Sequence, residues 1–325
     1  MKDLTKGKPS TLILAFALPI FFANLLQLTY SLVDTRIVGT FLGEDALAAV
    51  GATTTLSNLI VGFLQGLSGG FAIIIAQKFG AKDYKNVKKS MMTAMYIVIG
   101  VSLTMGTGIA IFFTVFGLLF LQPILNILNV PADLMATAKS YIFVIIAGLV
   151  ATFLYDACAA ALRSLGDTVT PLVILAISVA LNIVGDLLFV VVLKSGVRGA
   201  AIATVLAQAI AFVVCWIYMV KRYELLRLSR EDFKDPNPVM VKNMLGAGMS
   251  MGFMSSLINI GSLTLQTAIN KLGNDYIVAQ TAARKLTEMF MIMFTVFGNT
   301  MATYCGQNLG AGKIDRIKKG IWLAI

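Results

Sequence analysis

The feature that most constrains this chain is a run of about 20 or more apolar residues that recurs along its length. Each run is long enough to cross the hydrocarbon core of a bilayer as a helix. The chain is 58% hydrophobic and only 13% charged, and a soluble protein of this length cannot bury that much apolar surface. The sequence therefore predicts an all-α, polytopic membrane bundle.

The apolar runs predict eight membrane-spanning helices and the start of a ninth near residue 316. The first is too long for a signal peptide and no cleavage site follows it, so we expect it to remain as an anchor. It contains Pro19, which removes a backbone donor, and a kink is expected there. The predicted bounds are 11–41, 46–77, 90–118, 135–163, 169–193, 199–222, 241–270 and 276–307.

An internal repeat relates the two ends of the chain. Twelve of the 48 residues from 42 to 89 recur with unchanged spacing 230 positions later. Gln77 and Gly80, for example, return as Gln307 and Gly310. Duplicated membrane bundles are typical of secondary transporters, whose substrate path lies between the two copies.

The repeat and one polar segment predict the domain organisation. We expect a first lobe of six helices over 1–222, a cytoplasmic linker over 223–240, and a second lobe over 241–325. The second lobe is expected to be truncated, because two six-helix lobes related by the repeat would need more chain. Without a complete second lobe, the 325-residue form is not expected to transport.

The loop charges predict the orientation of the bundle. Nineteen Lys and Arg residues fall in or beside the loops on one side, and three fall on the other. The positive-inside rule then places the N-terminus in the cytoplasm of a multi-pass plasma (inner) membrane protein. This asymmetry also accounts for the net charge of +10, so no nucleic-acid partner is expected.

The composition argues against an enzyme. The chain has no histidine, and its three cysteines are isolated within predicted helices. A histidine-based catalytic triad is therefore excluded, and neither a zinc site nor a disulfide is expected. We expect no cofactor beyond a coupling ion.

Polar side chains at one membrane depth predict an ion site. Asp34 and Asp186 lie in the outer halves of their helices, with Asn182 one turn before Asp186. Thr204 and Tyr141 fall at a similar depth. A buried acid in a membrane is a functional candidate. The side-chain oxygens of this group suit either a proton or Na⁺, and a Na⁺ ion would be bound by Asp34, Asn182, Asp186 and Thr204. The alternative is that each acid makes only a local hydrogen bond.

A second group of residues is a candidate for a cavity in the second lobe. Glu288 follows Arg284 by four residues, so a salt bridge along the helix is the simpler interpretation. Met251 and Met254 belong to a methionine-rich region, and flexible thioethers suit a promiscuous cavity. Packing or lipid contact is the alternative for each methionine. Asp156 lies near the inner end of its helix, where it would be accessible to water from the cytoplasm.

Glycine stripes predict close helix contacts. Gly62, Gly66 and Gly70 are spaced by four residues, and Gly248 and Gly252 repeat that spacing. Such stripes let helices approach closely in lipid. We favour packing within one chain over a dimer interface, so a monomer is expected.

Four motifs together resemble the multidrug and toxic compound extrusion (MATE) family, and the resemblance covers essentially the whole chain. Each motif is weak alone. They are Val33-Asp34-Thr35, Arg163-x-x-Gly166-Asp167-x-x-x-Pro171, Asn182-x-x-x-Asp186 and Gly306-Gln307-x-x-Gly310-Ala311.

The resemblance implies a fold of two six-helix lobes and export of organic cations and other amphiphiles against entry of H⁺ or Na⁺. In the branch similar to the DNA-damage-inducible type, it implies a cation site at the residues matching Asp34, Asn182, Asp186 and Thr204, with Tyr141 close by. It also implies a first helix that bends at Pro19. Two positions depart from the pattern: Ala159 replaces an asparagine of that branch, and Ser255 and Ser256 occupy the region of an acid found in the Na⁺-coupled branch.

The predicted function is therefore cation-coupled antiport of drug-like small molecules. One alternative is a lipid-linked oligosaccharide flippase, which would need a strongly cationic cavity. Apart from the basic residues at the cytoplasmic helix ends, only Arg36, Arg284 and Lys285 lie within predicted helices, with Lys139 at an outer end. The other alternative is a non-transporting membrane scaffold, which would not need paired acids.

Overall fold

The computed structural model describes residues 2–111, 134–223, 238–270 and 274–324, and these form helices joined by short turns with no strand among them. An all-α bundle is thus confirmed. The helices are α1 (Pro9–Leu42), α2 (Glu44–Gly80), α3 (Tyr84–Ile111), α4 (Met135–Ser164), α5 (Val169–Asp186, continued by the π-helix Leu187–Val192), α6 (Gly196–Arg222), α7 (Pro238–Asn270), α8 (Asn274–Gly310) and α9 (Ile314–Ala324).

Each predicted span corresponds to one of these helices, although several ends differ. Helix α3 begins at Tyr84 rather than at 90, and residues 112–118 of its predicted span lie outside the described chain. Helix α7 begins at Pro238 rather than at 241, because proline is well tolerated in a first helical turn that needs no backbone donor. Residues 238–240 of the predicted linker therefore belong to α7. Linker residues 224–237 lie outside the described chain. Helix α1 continues as one helix through Pro19, so its bending stays a prediction.

Five helices are long and apolar enough to cross a bilayer by themselves, judged over the described residues. They are α1, the part of α2 from Leu56 onward, α4, α5 with its π-helical end, and α6. Helices α3, α7 and α8 contain residues whose side chains lie outside the described structure, so their membrane crossing remains a prediction.

The glycine stripes bring α2 and α7 into backbone contact. A methyl group on Gly66 would stand 2.6 Å from the Met251 carbonyl oxygen, and one on Gly70 would overlap the backbone of Gly248. On the opposing helix, a methyl group on Gly252 would stand 2.8 Å from the Phe63 ring. The stripes therefore pack within one chain, as expected for small residues at a helix contact in lipid.

The repeated sequence packs against itself where α2 and α8 end. A methyl group on Gly80 would overlap the Gln307 carbonyl, and one on Gly310 would overlap the Gln77 carbonyl. Residues 307 and 310 are the repeat partners of 77 and 80, so the contact is reciprocal. Such self-complementary contacts are characteristic of a two-fold axis, and here the repeat supplies both sides from one chain.

A short segment ahead of α1, which we call the N-terminal strap (Lys2–Lys8), joins the two ends of the chain. The Leu4 amide donates to Gln307 Oε1 at 2.9 Å, and Gln307 Nε2 donates to the Ser164 carbonyl at 2.8 Å. Leu4 is 1% exposed, and Gln307 and Ser164 are fully buried. One carboxamide therefore connects the strap, the end of α4 and the end of α8.

The turn between α8 and α9 holds the other side of the strap. Asn308 Nδ2 donates to the Leu4 carbonyl at 3.3 Å, and Lys313 Nζ donates to the Thr5 carbonyl at 2.8 Å. Arg316 donates through Nη1 to the Gly7 carbonyl at 2.9 Å. The strap is thus held through its backbone carbonyls, while the Leu4 side chain is buried in an apolar cluster with Phe16 and Tyr304.

The strap also has an internal turn. Thr5 donates to Asp3 Oδ1 through its amide at 2.9 Å and through its hydroxyl at 2.6 Å. Burial by itself would raise the pKa of the Asp3 carboxyl. These hydrogen bonds, together with the nearby Lys6 and Lys313, outweigh burial and hold that pKa below its ordinary value.

The motif between α4 and α5 forms a tight, hydrogen-bonded turn at the same end of the bundle. Gly166 has φ +88°, and a side chain there would overlap the Lys2 carbonyl of the strap. Asp167 accepts from the Thr170 amide at 3.0 Å and from the Tyr223 hydroxyl at 2.6 Å. The glycine thus makes room for the strap, while the aspartate joins the start of α5 to the end of α6.

Candidate functional site

The two acids predicted to share a depth meet in the structure. Asp34 of α1 and Asp186 at the end of α5 lie within hydrogen-bonding reach of each other through their carboxyl groups. Asp186 is fully buried. One oxygen of each carboxyl, Asp34 Oδ1 and Asp186 Oδ1, is buried with no hydrogen-bond partner. Two such groups cannot both carry a charge cheaply, so the pair is suited to hold a cation or a shared proton.

A carboxamide and a hydroxyl complete the group on its α5–α6 side. Asn182 is 3% exposed. Its side-chain amide forms hydrogen bonds when the nitrogen faces Asp186, and that nitrogen then donates to Asp186 Oδ2 at 3.1 Å. In this orientation its oxygen accepts from the Thr204 amide at 3.1 Å. Thr204 Oγ1 also lies 3.1 Å from the Ala200 carbonyl. Asn182 therefore links the acid of α5 to the backbone of α6.

Two tyrosines, Tyr30 and Tyr141, border the group, and only Tyr141 was predicted there. The Tyr30 hydroxyl lies 3.1 Å from Thr204 Oγ1. Tyr141, which was predicted at this depth, packs against the apolar cluster around Val38 and Val190 and interacts electrostatically with both acids. Tyr30 precedes Asp34 by four residues, so the spacing rule that paired Asn182 with Asp186 could have found it.

The helix changes its hydrogen-bond pattern directly after the acid. Residues Leu187–Val192 form a π-helix that begins where Asp186 ends α5. π-helical turns are rare and occur frequently at functional sites, because they displace the helix register by one residue. Upstream, Ser178, Asn182 and Asp186 form a buried stripe at four-residue spacing, and Ser178 Oγ donates to the Ala207 carbonyl at 3.1 Å. The buried polar side of α5 thus faces α6.

The residues present fit a small cation or a proton. Two carboxylates and a hydroxyl are oxygen ligands of the kind that hard cations prefer, and the unpaired oxygens of Asp34 and Asp186 are available to one. The Asn182 oxygen is already occupied by Thr204. It could join a metal ion only if the amide turned over, and a proton on the acid pair needs no such turn.

The predicted second-lobe cavity is only partly described. The side chains of Arg284 and Glu288 lie outside the described part of the structure, so their pairing stays a prediction. Met251 contributes its backbone to the contact with Gly66 and its side chain to the neighbourhood of Gly69. Met254 is 50% exposed. Met251 is only partly exposed, so Met254 is the more accessible of the two methionines.

The chain has clear relatives. The profile of the MatE family matches residues 19–188, which include both acids of the pair. The probable multidrug resistance protein YpnP of Bacillus subtilis is 29% identical over 317 residues, covering 97% of this chain and 68% of that relative. The FAD transporter of Shewanella oneidensis is 20% identical over 332 residues, covering 100% of this chain and 71% of that relative.

The fold also matches solved structures. One of these, described as the outward-facing conformation of a multidrug resistance MATE family transporter of the MOP superfamily, gives a TM-score of 0.87 at 23% identity. The match covers 100% of this chain and 70% of that one. At this level of identity the likeness establishes the fold.

Proposed function

Because this chain belongs to the MatE family of membrane transporters, we propose that it is a cation-coupled antiporter that exports drug-like organic cations or amphiphiles. In this proposal, Asp34 and Asp186 bind the driving ion, and Asn182, Thr204 and Tyr141 position them. Family membership also means that the protein is not an enzyme.

One observation carries the proposal: two acids meet between helices that are long and apolar enough to cross a bilayer, and each keeps an unpaired, buried oxygen. Burying acids in lipid is costly, so they are rarely retained without a role. One charge moving through 100 mV supplies about 2.3 kcal/mol, which sustains a gradient of roughly 50-fold. Binding and release of one ion at this pair would therefore drive useful export.

The orientation of Asn182 favours a proton as the driving ion. Its nitrogen faces Asp186, and its oxygen is engaged by the Thr204 amide, so the carboxyl groups are left as the principal ion-binding oxygens. A proton needs only one of those oxygens. A metal ion would need several ligands and would have to displace the Asn182–Thr204 hydrogen bond.

Vesicles with separately imposed gradients test the proposed function. The full-length protein, reconstituted in lipid vesicles, should move ethidium when a pH gradient is imposed and not when a Na⁺ gradient is imposed at constant pH. Transport driven by Na⁺ alone would contradict the proton while leaving an ion-coupled acid pair. Ethidium movement that ignores both gradients would contradict antiport itself.

An anionic substrate is the second candidate, because the Shewanella oneidensis relative is named for FAD. Negative substrates require a cationic cavity, and Arg36 is exposed on α1. Adding FAD and a lipid-linked oligosaccharide to the same vesicle assay separates the candidates. Competition by either compound, with none by organic cations, would favour this alternative or the related flippase.

We also propose that the N-terminal end of the bundle faces the cytoplasm of the plasma membrane, as the 19-to-3 distribution of loop charges indicates. Two exposed positions at opposite ends, Lys85 and Ser195, can be replaced by cysteine after the three native cysteines are removed. A membrane-impermeant maleimide should label Ser195→Cys in intact cells and Lys85→Cys only after the cells are opened. The reverse pattern would contradict the orientation.

A further inference from the structure

A third acid, Asp156, is partly buried and lies outside the ion site. Asp156 of α4 accepts a hydrogen bond from Gln65 of α2, and its Oδ2 is buried with no hydrogen-bond partner. At 1.5 Å per residue, Asp156 lies about 12 Å from the end of α4 at Ser164, whereas Asp186 lies about 26 Å from the start of α5 at the same end of the bundle. The two acids therefore occupy different depths.

The partner of Asp156 belongs to a polar face of α2. Asn58 and Gln65 are both exposed, and with Gly62 they follow the spacing of one helix face, four and then three residues apart. Carboxamides that point into lipid lose their hydrogen bonds at considerable cost. An exposed pair of them inside a membrane bundle therefore indicates a hydrated space between helices.

Helix α7 contributes a third carboxamide to the same face. Asn259 Nδ2 stands 3.0 Å from the position of a methyl group on Gly62, between Asn58 and Gln65 along α2. The Asn259 amide donates one hydrogen bond to the Ser255 carbonyl of its own helix at 2.9 Å. This α2–α7 site thus combines neutral amides from two helices with the Asp156 carboxyl of a third.

We propose that Asp156, held by Gln65, binds the positive centre of the exported organic cation. The inference rests on the proposed function and adds to it a substrate contact that is separate from the ion site. The three carboxamides offer adaptable polar contacts without a fixed charge, and Asp156 supplies the negative charge. Arg163 lies two turns farther along α4, towards the helix end, and attracts Asp156 electrostatically. It forms no hydrogen bond with Asp156 Oδ2, which stays unpaired.

The chemistry of the site selects a class of ligand. A large organic cation is weakly hydrated, so moving it from water to a partly dry site costs less than moving a compact ammonium or metal ion. A carboxylate in such a site attracts it more strongly than the same carboxylate in water, because screening is weaker there. The ligand needs no hydrogen-bond donor, so its positive charge is the feature that is recognised.

Binding of tetraphenylphosphonium to the purified full-length protein tests the proposal without requiring transport. Asp156→Asn keeps the size of the side chain and removes its charge. It should weaken tetraphenylphosphonium binding about 10- to 100-fold, the scale for losing a partly desolvated charge pair. Asp156→Glu should restore most of the affinity. Triphenylphosphine oxide, a neutral relative of the probe, should bind the wild type and Asp156→Asn equally.

Matched variants make each outcome informative. Asp315→Asn removes an exposed carboxyl of α9 and should leave tetraphenylphosphonium binding unchanged. Unchanged cation binding in Asp156→Asn, or equal weakening for the cation and the neutral compound, would overturn this inference and leave the ion-coupled function standing. Failure of the wild type to bind any organic cation would overturn the proposed substrate class and this inference with it.

Discussion

Replacing Asp34 by asparagine should abolish cation-coupled efflux and leave the protein folded in the membrane. Asparagine keeps the shape of the side chain and removes the charge that the driving ion requires. Efflux of ethidium from cells that express the full-length variant should fall to the level of cells without the protein. Asp186→Asn should behave in the same way, because the two carboxyl groups lie within hydrogen-bonding reach and act as one site.

The same substitution should not harm folding. Asp34 Oδ1 has no hydrogen-bond partner to lose, and a neutral amide enters lipid at less cost than a carboxylate. The amount of protein in the membrane and its thermal stability in detergent should therefore match the wild type. Binding of tetraphenylphosphonium should also persist, because the proposed substrate contact at Asp156 lies on other helices.

Two further variants sharpen this test. Asp45→Asn removes an exposed carboxyl at the start of α2 and should retain efflux. Glu288→Gln should have a milder effect than Asp34→Asn, since its expected partner Arg284 is local and such a helix pair contributes only about 0.5 kcal/mol. Wild-type efflux with intact ion dependence in Asp34→Asn would show that the pair does not couple transport.

The grouping of Asp34, Asn182 and Asp186 was largely predictable because two simple rules determine it. Depth along apolar helices brought Asp34 and Asp186 together, and four-residue spacing added Asn182. Neither rule predicts the π-helix after Asp186, since a change of hydrogen-bond register leaves no mark in hydropathy. Asp156 was interpreted as a residue near the helix end, because its partner Gln65 lies on a helix far away in the sequence.

The N-terminal strap was not predictable for a related reason. Residues 2–8 have no apolar periodicity, and Leu4 is a single apolar residue in a polar segment. Its backbone is bound by Gln307 and Asn308, about 300 residues later, and its side chain packs in a cluster with Val296 and Tyr304 of the same distant helix. Local patterns indicate helices well, but they do not show which distant backbone a short segment will join.

Substituting alanine for Gly80 should disrupt the contact between α2 and α8. The added methyl group would overlap the Gln307 carbonyl, and backbone on both sides leaves no side chain that could move aside. Overpacking of this kind costs about 1–3 kcal/mol and occasionally more. We expect a clear fall in the melting temperature of the purified protein, and a similar fall for Gly310→Ala, which meets Gln77 in the reciprocal contact.

The chain offers a matched control for this change. Gly246 lies within α7, and a methyl group there would meet nothing within 4 Å. Gly246→Ala should be neutral or slightly stabilising, since alanine favours a helix by up to about 1 kcal/mol over glycine. Equal melting temperatures for Gly80→Ala and Gly246→Ala would mean that α2 and α8 can separate without loss of stability.

The strap has a consequence for the order in which the protein matures. The Leu4 amide and its acceptor Gln307 are 303 residues apart, and synthesis at about 5–20 residues per second separates them by roughly 15–60 seconds. During that interval the backbone groups of Leu4 have only water and lipid headgroups as partners. The strap residues therefore leave the ribosome long before their partners do, and they reach their final place only after α8 has been synthesised.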